Sequence, residues 1–125
     1  MVLVDTSIWI RFLRGHGSEA SHMSALLLRD EVFGHDLVYG ELLIGDRGGR
    51  ARLLSDYRLM TPAPAIPHDE VVAFVEQRRL HGRGIGWIDA HLLASAIVAR
   101  APLWTADVGL ATVARELGTG YPIGG

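Results

Sequence analysis

Residues 1–10 read MVLVDTSIWI. Val2, Leu3 and Val4 form an apolar run without polar alternation, the pattern of a parallel strand covered on both faces. Asp5 follows at once, with Thr6 and Ser7 behind it and an apolar helical stretch, Ile8 to Leu13, beyond. A buried strand that ends on a carboxylate has two readings. Asp5 either caps the following helix or belongs to a charged site assembled from distant parts of the chain. The rest of the sequence bears on both.

Working outward, strand and helix patterns alternate. Thr6 or Ser7 is expected to cap the first helix, which Gly15 and Gly17 stop; a second helix is expected over Ser18–Arg29 and a short strand over Val32-Phe33. Asp36 is expected to cap a helix running to Ile44 and ended by Gly45, and a further short helix covers Ala51 to Tyr57. Thr61-Pro62-Ala63-Pro64-Ala65-Ile66-Pro67 is the clearest break, short enough to be a loop within one domain. A helix is expected from His68 to Leu80, with Asp69 and Glu70 in its favourable first turn. The helix Trp87–Ala99 is apolar on nearly every side and should lie deep. Pro102 to Thr105 reads as a strand, Gly109 to Leu117 as the last helix, and Tyr121 to Ile123 as a short final strand. Such alternation predicts an α/β sandwich around a parallel sheet, with ligands beyond the carboxyl ends of the strands. Asp5 and Asp107 both fall there.

Composition narrows the chemistry. The chain has 125 residues, 49% hydrophobic and 21% charged, which suits a single domain over 1–125 with a real core. No apolar run approaches the roughly 20 residues needed to span a bilayer, so a cytoplasmic protein with no membrane contact is expected. Cysteine is absent, which removes disulfides and thiolate metal sites. Every basic residue is Arg, and there is no Lys. P-loop nucleotide binding, Schiff-base chemistry and lysine general bases are therefore excluded. The net charge of −2 supplies no bulk positive field, so any nucleic-acid binding rests on a local patch.

Four carboxylates stand out: Asp5 after the first strand, Asp107 after the strand ending at Thr105, and Glu41 and Asp89 inside apolar helices. Each has a plain structural reading. Asp5 and Asp107 suit N-caps, Asp89 suits the first turn of a helix, and Glu41 suits a solvent edge. Taken together they point elsewhere. A buried carboxylate without a cation costs several kcal/mol, and apart from Arg11 no Arg lies in the segments around these acids. Carboxylates converging without cationic side chains make a hard, oxygen-only site of the kind that holds Mg²⁺ or Mn²⁺. Ser7 and Thr105 add hydroxyls.

Asp5-Thr6-Ser7 after an apolar strand, Gly40-Glu41-Leu42 with Gly45 after it, Asp89 heading "DAHLLASA", and "LWTAD" carrying Thr105 and Asp107 together resemble a PIN domain, and within it the VapC-type ribonuclease toxins of bacterial toxin–antitoxin pairs. The resemblance runs through almost the whole chain. It implies a three-layer α/β/α sandwich around a parallel sheet of order 3-2-1-4-5. It implies a Mg²⁺- or Mn²⁺-dependent endoribonuclease cutting structured RNA, a tRNA or rRNA, by metal-activated water. Asp5, Glu41, Asp89 and Asp107 would form the site, Asp5 and Asp89 as direct metal ligands, with Ser7 and Thr105 as supporting hydroxyls. A homodimer and a cognate VapB-type antitoxin are implied as well. The stretch Ser18 to Glu31, which helps form the antitoxin groove in that family, carries no readable motif.

The arginines fall into groups: Arg11 and Arg14; Arg47, Arg50 and Arg52; Arg78, Arg79 and Arg83. Arg forks match phosphate geometry. The Arg78–Arg83 group runs straight into the helix bearing Asp89, placing it to grip RNA or to pair with an acidic antitoxin. The six histidines lack zinc spacing, and His91, about 200° around the helix from Asp89, is expected to have a structural role. Trp87 and Trp104 are expected in the core. Trp9 and Phe12 share a helix face that suits either the core or an antitoxin groove. Phosphate-receiving signalling domains and haloacid-dehalogenase phosphatases share the architecture but require a Lys. The remaining rival is a PIN fold that binds RNA or protein without cutting.

Overall fold

The computed structural model describes residues 1–15 and 17–122. Its order is β1 (Val2–Val4), α1 (Thr6–Leu13), α2 (Gly17–Leu28), β2 (Val32–Phe33), α3 (Asp36–Ile44), α4 (Ala51–Tyr57), α5 (His68–Gln77), α6 (Trp87–Ala99), β3 (Leu103–Trp104) and α7 (Val108–Glu116). β1 is central and pairs in parallel with β2 on one side and β3 on the other. Successive strand residues point to opposite faces. All three side chains of β1 are nevertheless buried, so helices cover both faces of the sheet.

Among the described residues the regular sheet has three strands. Its two outer positions are single parallel bridges, Gly34 to Pro62 beyond β2 and Leu103 to Gly120 beyond β3. Counted in chain order, the five extended segments still run 3-2-1-4-5. Pro62 has no N–H to donate, and prolines crowd its segment, which limits the outer position beside β2 to a bridge. On the other side Tyr121 donates to the Leu103 carbonyl at 3.2 Å; Ile123, expected to extend this segment, lies outside the described residues.

Helix packing follows the apolar patterns. α1 packs on α2 and α3, α3 on α4, α5 on α6, and α6 and α7 on β3. α6 buries Ala90 and Leu92 through Ala96. Trp9 is fully buried, edge-on to Phe12 and Tyr57 with ring centroids 6.0 and 5.3 Å away; this settles the Trp9 face as core. Trp104 is buried as expected. Trp87 is not: it is 43% exposed at the start of α6, with the rings of His68 and His91 each 5.1 Å from its own.

Of the cap candidates Asp5, Thr6 and Ser7, Asp5 is the N-cap of α1 and accepts from the Ser7 and Ile8 amides. One expected cap is replaced. His35, not Asp36, is the N-cap of α3, its ring accepting from the Leu37 amide. α5 stops at Gln77, short of Leu80, because Arg79 takes a left-handed backbone (φ 54°) and Leu80 donates back to Val75 at 3.0 Å. That closure is a Schellman-type ending.

Candidate active site

Asp5 leaves the carboxyl end of the central strand, and its side chain is 5% exposed. Oδ1 accepts from the Ser7 amide (3.0 Å) and the Ser7 hydroxyl (2.5 Å). Oδ2 accepts from the Thr105 hydroxyl (2.5 Å), just beyond β3. Thr105 in turn accepts from the Asp107 amide, and Ser7 from the Ala106 amide, both at 3.0 Å. The chain between β3 and α7 is thereby bound to the start of α1. Both hydroxyls singled out in the sequence, Ser7 and Thr105, hydrogen-bond Asp5.

The other three acids are held by different residues, and among the described residues no three of the acids converge. Glu41, one turn short of the end of α3, accepts at Oε1 from the Thr6 hydroxyl at 2.6 Å. Thr6 was not singled out in the sequence. The signal was a second hydroxyl beside Asp5, and its partner thirty-five positions away cannot be read from spacing. Asp89 sits in the first turn of α6 and accepts from the Gly86 amide at 2.9 Å. Asp107 caps α7 through the Leu110 amide at 2.8 Å and is exposed. Asp5, Asp89 and Asp107 each accept from a backbone amide at the start of a helix.

The electrostatics centre on Asp5. Burial pushes its carboxyl above the usual carboxylate range, against the lowering effect of the Ser7, Thr105 and Ile8 hydrogen bonds, and the negative charge of Asp89 pushes the same way. Asp89 is thus close enough to act on Asp5. Among the described residues, none of the four acids forms an ion pair. A carboxylate removed from water and left without a cation is a poor resting state for a charge.

Does this donor set fit a divalent ion? Every donor is oxygen, as Mg²⁺ and Mn²⁺ prefer, and buried Asp5 lacks the positive charge such an ion supplies. Among the described residues no three His, Asp or Glu side chains converge into a ready cage. Mg²⁺ does not need one: it dehydrates reluctantly and is commonly held by one or two carboxylates with its waters retained. Asp5, with the charge of Asp89 bearing on it, would be a pair of that kind. The residues fit.

The arginines sort differently from their sequence groups. Arg83 forms a two-toothed pair with Glu116 (2.9 and 3.1 Å), and Arg11 one with Glu19 (2.8 and 3.0 Å). Arg78 and Arg79 are exposed at the end of α5. His91 packs edge-on against Trp87, in keeping with a structural role.

The PIN domain family model matches residues 2–116. This chain belongs to the PIN-domain family. It is also 42% identical over 119 residues to Ribonuclease VapC32 of Mycobacterium tuberculosis, in strains CDC 1551 and H37Rv, with 94% of each chain covered. The VapC-type resemblance read from the four acidic motifs is thus matched along nearly the full length, and the α/β sandwich is the PIN architecture.

Proposed function

We propose that this PIN domain, spanning residues 1–125, is a cytoplasmic endoribonuclease toxin of a toxin–antitoxin pair, dependent on Mg²⁺ or Mn²⁺ and acting on structured RNA such as tRNA or rRNA. One observation carries the reading: Asp5 is buried, tied by hydroxyls to the end of β3, and among the described residues without a cationic partner, while burial and the Asp89 charge push its pKa up. The relative's name, a ribonuclease, supports the reaction class.

In this reading Asp5 and Asp89 hold the metal. Bound there, the ion neutralises charge on a phosphodiester and lowers the pKa of a water. The chain's own residues set the geometry. Ser7 and Thr105 fix both carboxylate oxygens of Asp5. Thr6 fixes Glu41 at one side of the site, and Asp107 stands at the solvent side with its backbone held by Thr105. Arg78, Arg79 and Arg83 form an outer surface for RNA or for a cognate VapB-type antitoxin. A homodimer belongs to the proposal. Exposed apolar side chains on α3 and after α4, Leu43, Ile44 and Leu59, give a protein partner something to cover.

The rival, a PIN fold that binds RNA or protein without cutting, draws on the lack of a three-acid cage among the described residues. One experiment separates them. Total bacterial RNA is incubated with the chain in Mg²⁺, Mn²⁺ or EDTA, with Asp5→Asn purified identically, and new RNA ends are mapped by sequencing. Discrete metal-dependent ends missing from the variant support the nuclease. Their absence, with no metal-induced rise in thermal midpoint, leaves the binding module.

A further inference from the structure

One arginine group that adjoins a candidate site acid lies apart from the group that precedes α6. A cleft of about 340 Å³ lies between the end of α1 and the α3–α4 connection, lined by Arg14, Arg47 and Arg50 together with Glu41, Ile10 and Gly45. The cations come from three places: Arg14 is the C-cap of α1, Arg47 sits in the connecting loop, and Arg50 is the N-cap of α4. Gly48 and Gly49 lie between the last two with φ of 110° and 88°, a backbone readily adopted only by glycine. That turn lets Arg47 and Arg50 line the same cleft. Among the described residues none of the three is in an ion pair, in contrast to Arg83 and Arg11.

We propose that this cleft is the RNA phosphate site that feeds the acidic centre, with Arg14, Arg47 and Arg50 gripping one stretch of backbone. The inference rests on the nuclease reading and names where its substrate is held. A chain of net charge −2 whose site is built of acids repels a polyanion, so RNA must be held by a local cluster of cations beside that site. Glu41 is the link: it lines the cleft and is also hydrogen-bonded to Thr6, the residue after Asp5. Arg forks engage phosphate oxygens in pairs, and three unpaired forks in one cleft match a backbone more closely than a single carboxylate.

The test is binding of end-labelled bulk bacterial tRNA in EDTA, so that nothing is cut, over a range of salt. Arg14→Gln/Arg47→Gln/Arg50→Gln is compared with wild type and with Arg52→Gln. Arg52 is exposed on α4, pairs with Asp56 and does not line the cleft. The triple variant should bind at least about tenfold more weakly, and its log–log salt slope should shrink by about 2 to 3, as for three lost phosphate contacts. Arg52→Gln should lose less than about twofold. Circular dichroism and an unchanged thermal midpoint certify the fold of the variants. A triple variant with wild-type affinity and slope overturns the cleft while leaving metal-dependent cleavage, measured separately, to stand. A triple variant that keeps tRNA but loses binding to poly-L-glutamate makes the cleft an acidic-peptide site and overturns the proposal as well. Wild-type protein that binds no tRNA in this assay overturns the cleft directly, and end-mapping then decides the nuclease reading independently.

Discussion

Neighbouring strands β1 and β2 each end on a buried ionisable side chain, and the two are handled in opposite ways. After β2, His35 is 6% exposed and completely matched. Its Nδ1 accepts from the Leu37 amide, which leaves the proton on Nε2 to donate to the Ser95 hydroxyl (3.0 Å), and Ser95 donates to the Pro64 carbonyl (2.7 Å). Burial lowers the imidazole pKa, so the ring is neutral and needs nothing further. After β1, Asp5 is equally buried, but its hydrogen bonds come from groups that solvate an anion, and no cation answers the charge. The difference separates structure from function: a closed neutral network holds the fold, whereas an uncompensated charge awaits a ligand.

The sharpest way to break that contrast is to neutralise the charge. Asp5→Asn and Asp89→Asn should each lower RNA cleavage by at least about a hundredfold. Melting in EDTA should show stability preserved or raised, since the variants remove a buried charge or its repulsive neighbour. A large loss of metal-free stability in both would make these acids structural caps. Next in size is the metal itself. Mg²⁺ at a hundred times its dissociation constant should stabilise wild type by about 2.7 kcal/mol through linkage, read as a rise in thermal midpoint that EDTA reverses and that both Asn variants lack.

The His35 side of the comparison is tested by pH. Burial depresses the imidazole pKa below the ordinary value of about 6.5, so between that value and its folded pKa the unfolded chain binds more protons. Stability is therefore complete above about pH 6.5 and is lost as pH falls through the folded value. His91, depressed by burial and by His68, adds a contribution of the same sign, whereas Asp36 opposes it at His35. His35→Asn retains a side-chain acceptor for the Leu37 amide and cannot titrate. Denaturant melts from pH 7.5 to 5 should show a shallower acid loss than wild type. At pH 7.5 the variant should cost about 1–3 kcal/mol, because Ser95 loses its imidazole partner.

The sequence made visible those parts that depend on neighbours along the chain. The limits of β2, α4 and α6 were readable from composition and periodicity, as were the four acids, because an acid in an apolar stretch stands out. Partners across the fold were not. Thr6 meets Glu41, and Thr105 meets Asp5 from a hundred positions away, and no local pattern encodes either pair. The cap of α3 is displaced for a related reason: His35 lies one residue before Asp36, and its conformation depends on where the preceding strand ends. At α1 the sequence offers Asp5, Thr6 and Ser7 as caps, and the structure selects Asp5. Trp87 is expected in the core because α6 is apolar along its length, but it opens that helix and lies half-exposed, and how far the start of a helix is covered is not written in its own composition.

The smallest expected effect belongs to Asp36, the exposed residue that sequence made a cap and structure does not. Asp36→Asn leaves the His35 cap and the site acids in place. RNA cleavage should stay within about twofold, and stability at pH 7.5 within about 0.5 kcal/mol, the usual range for a surface change. Its one readable consequence lies in acid. The Asp36 charge raises the His35 pKa against the pull of burial, so its removal should depress that pKa further and extend the loss of stability to lower pH. A double variant with His35→Asn should show no such extension, because the group on which Asp36 acts is gone. If the extension persists in the double variant, Asp36 acts on a different proton, and the neutral network after β2 is less closed than its hydrogen bonds indicate.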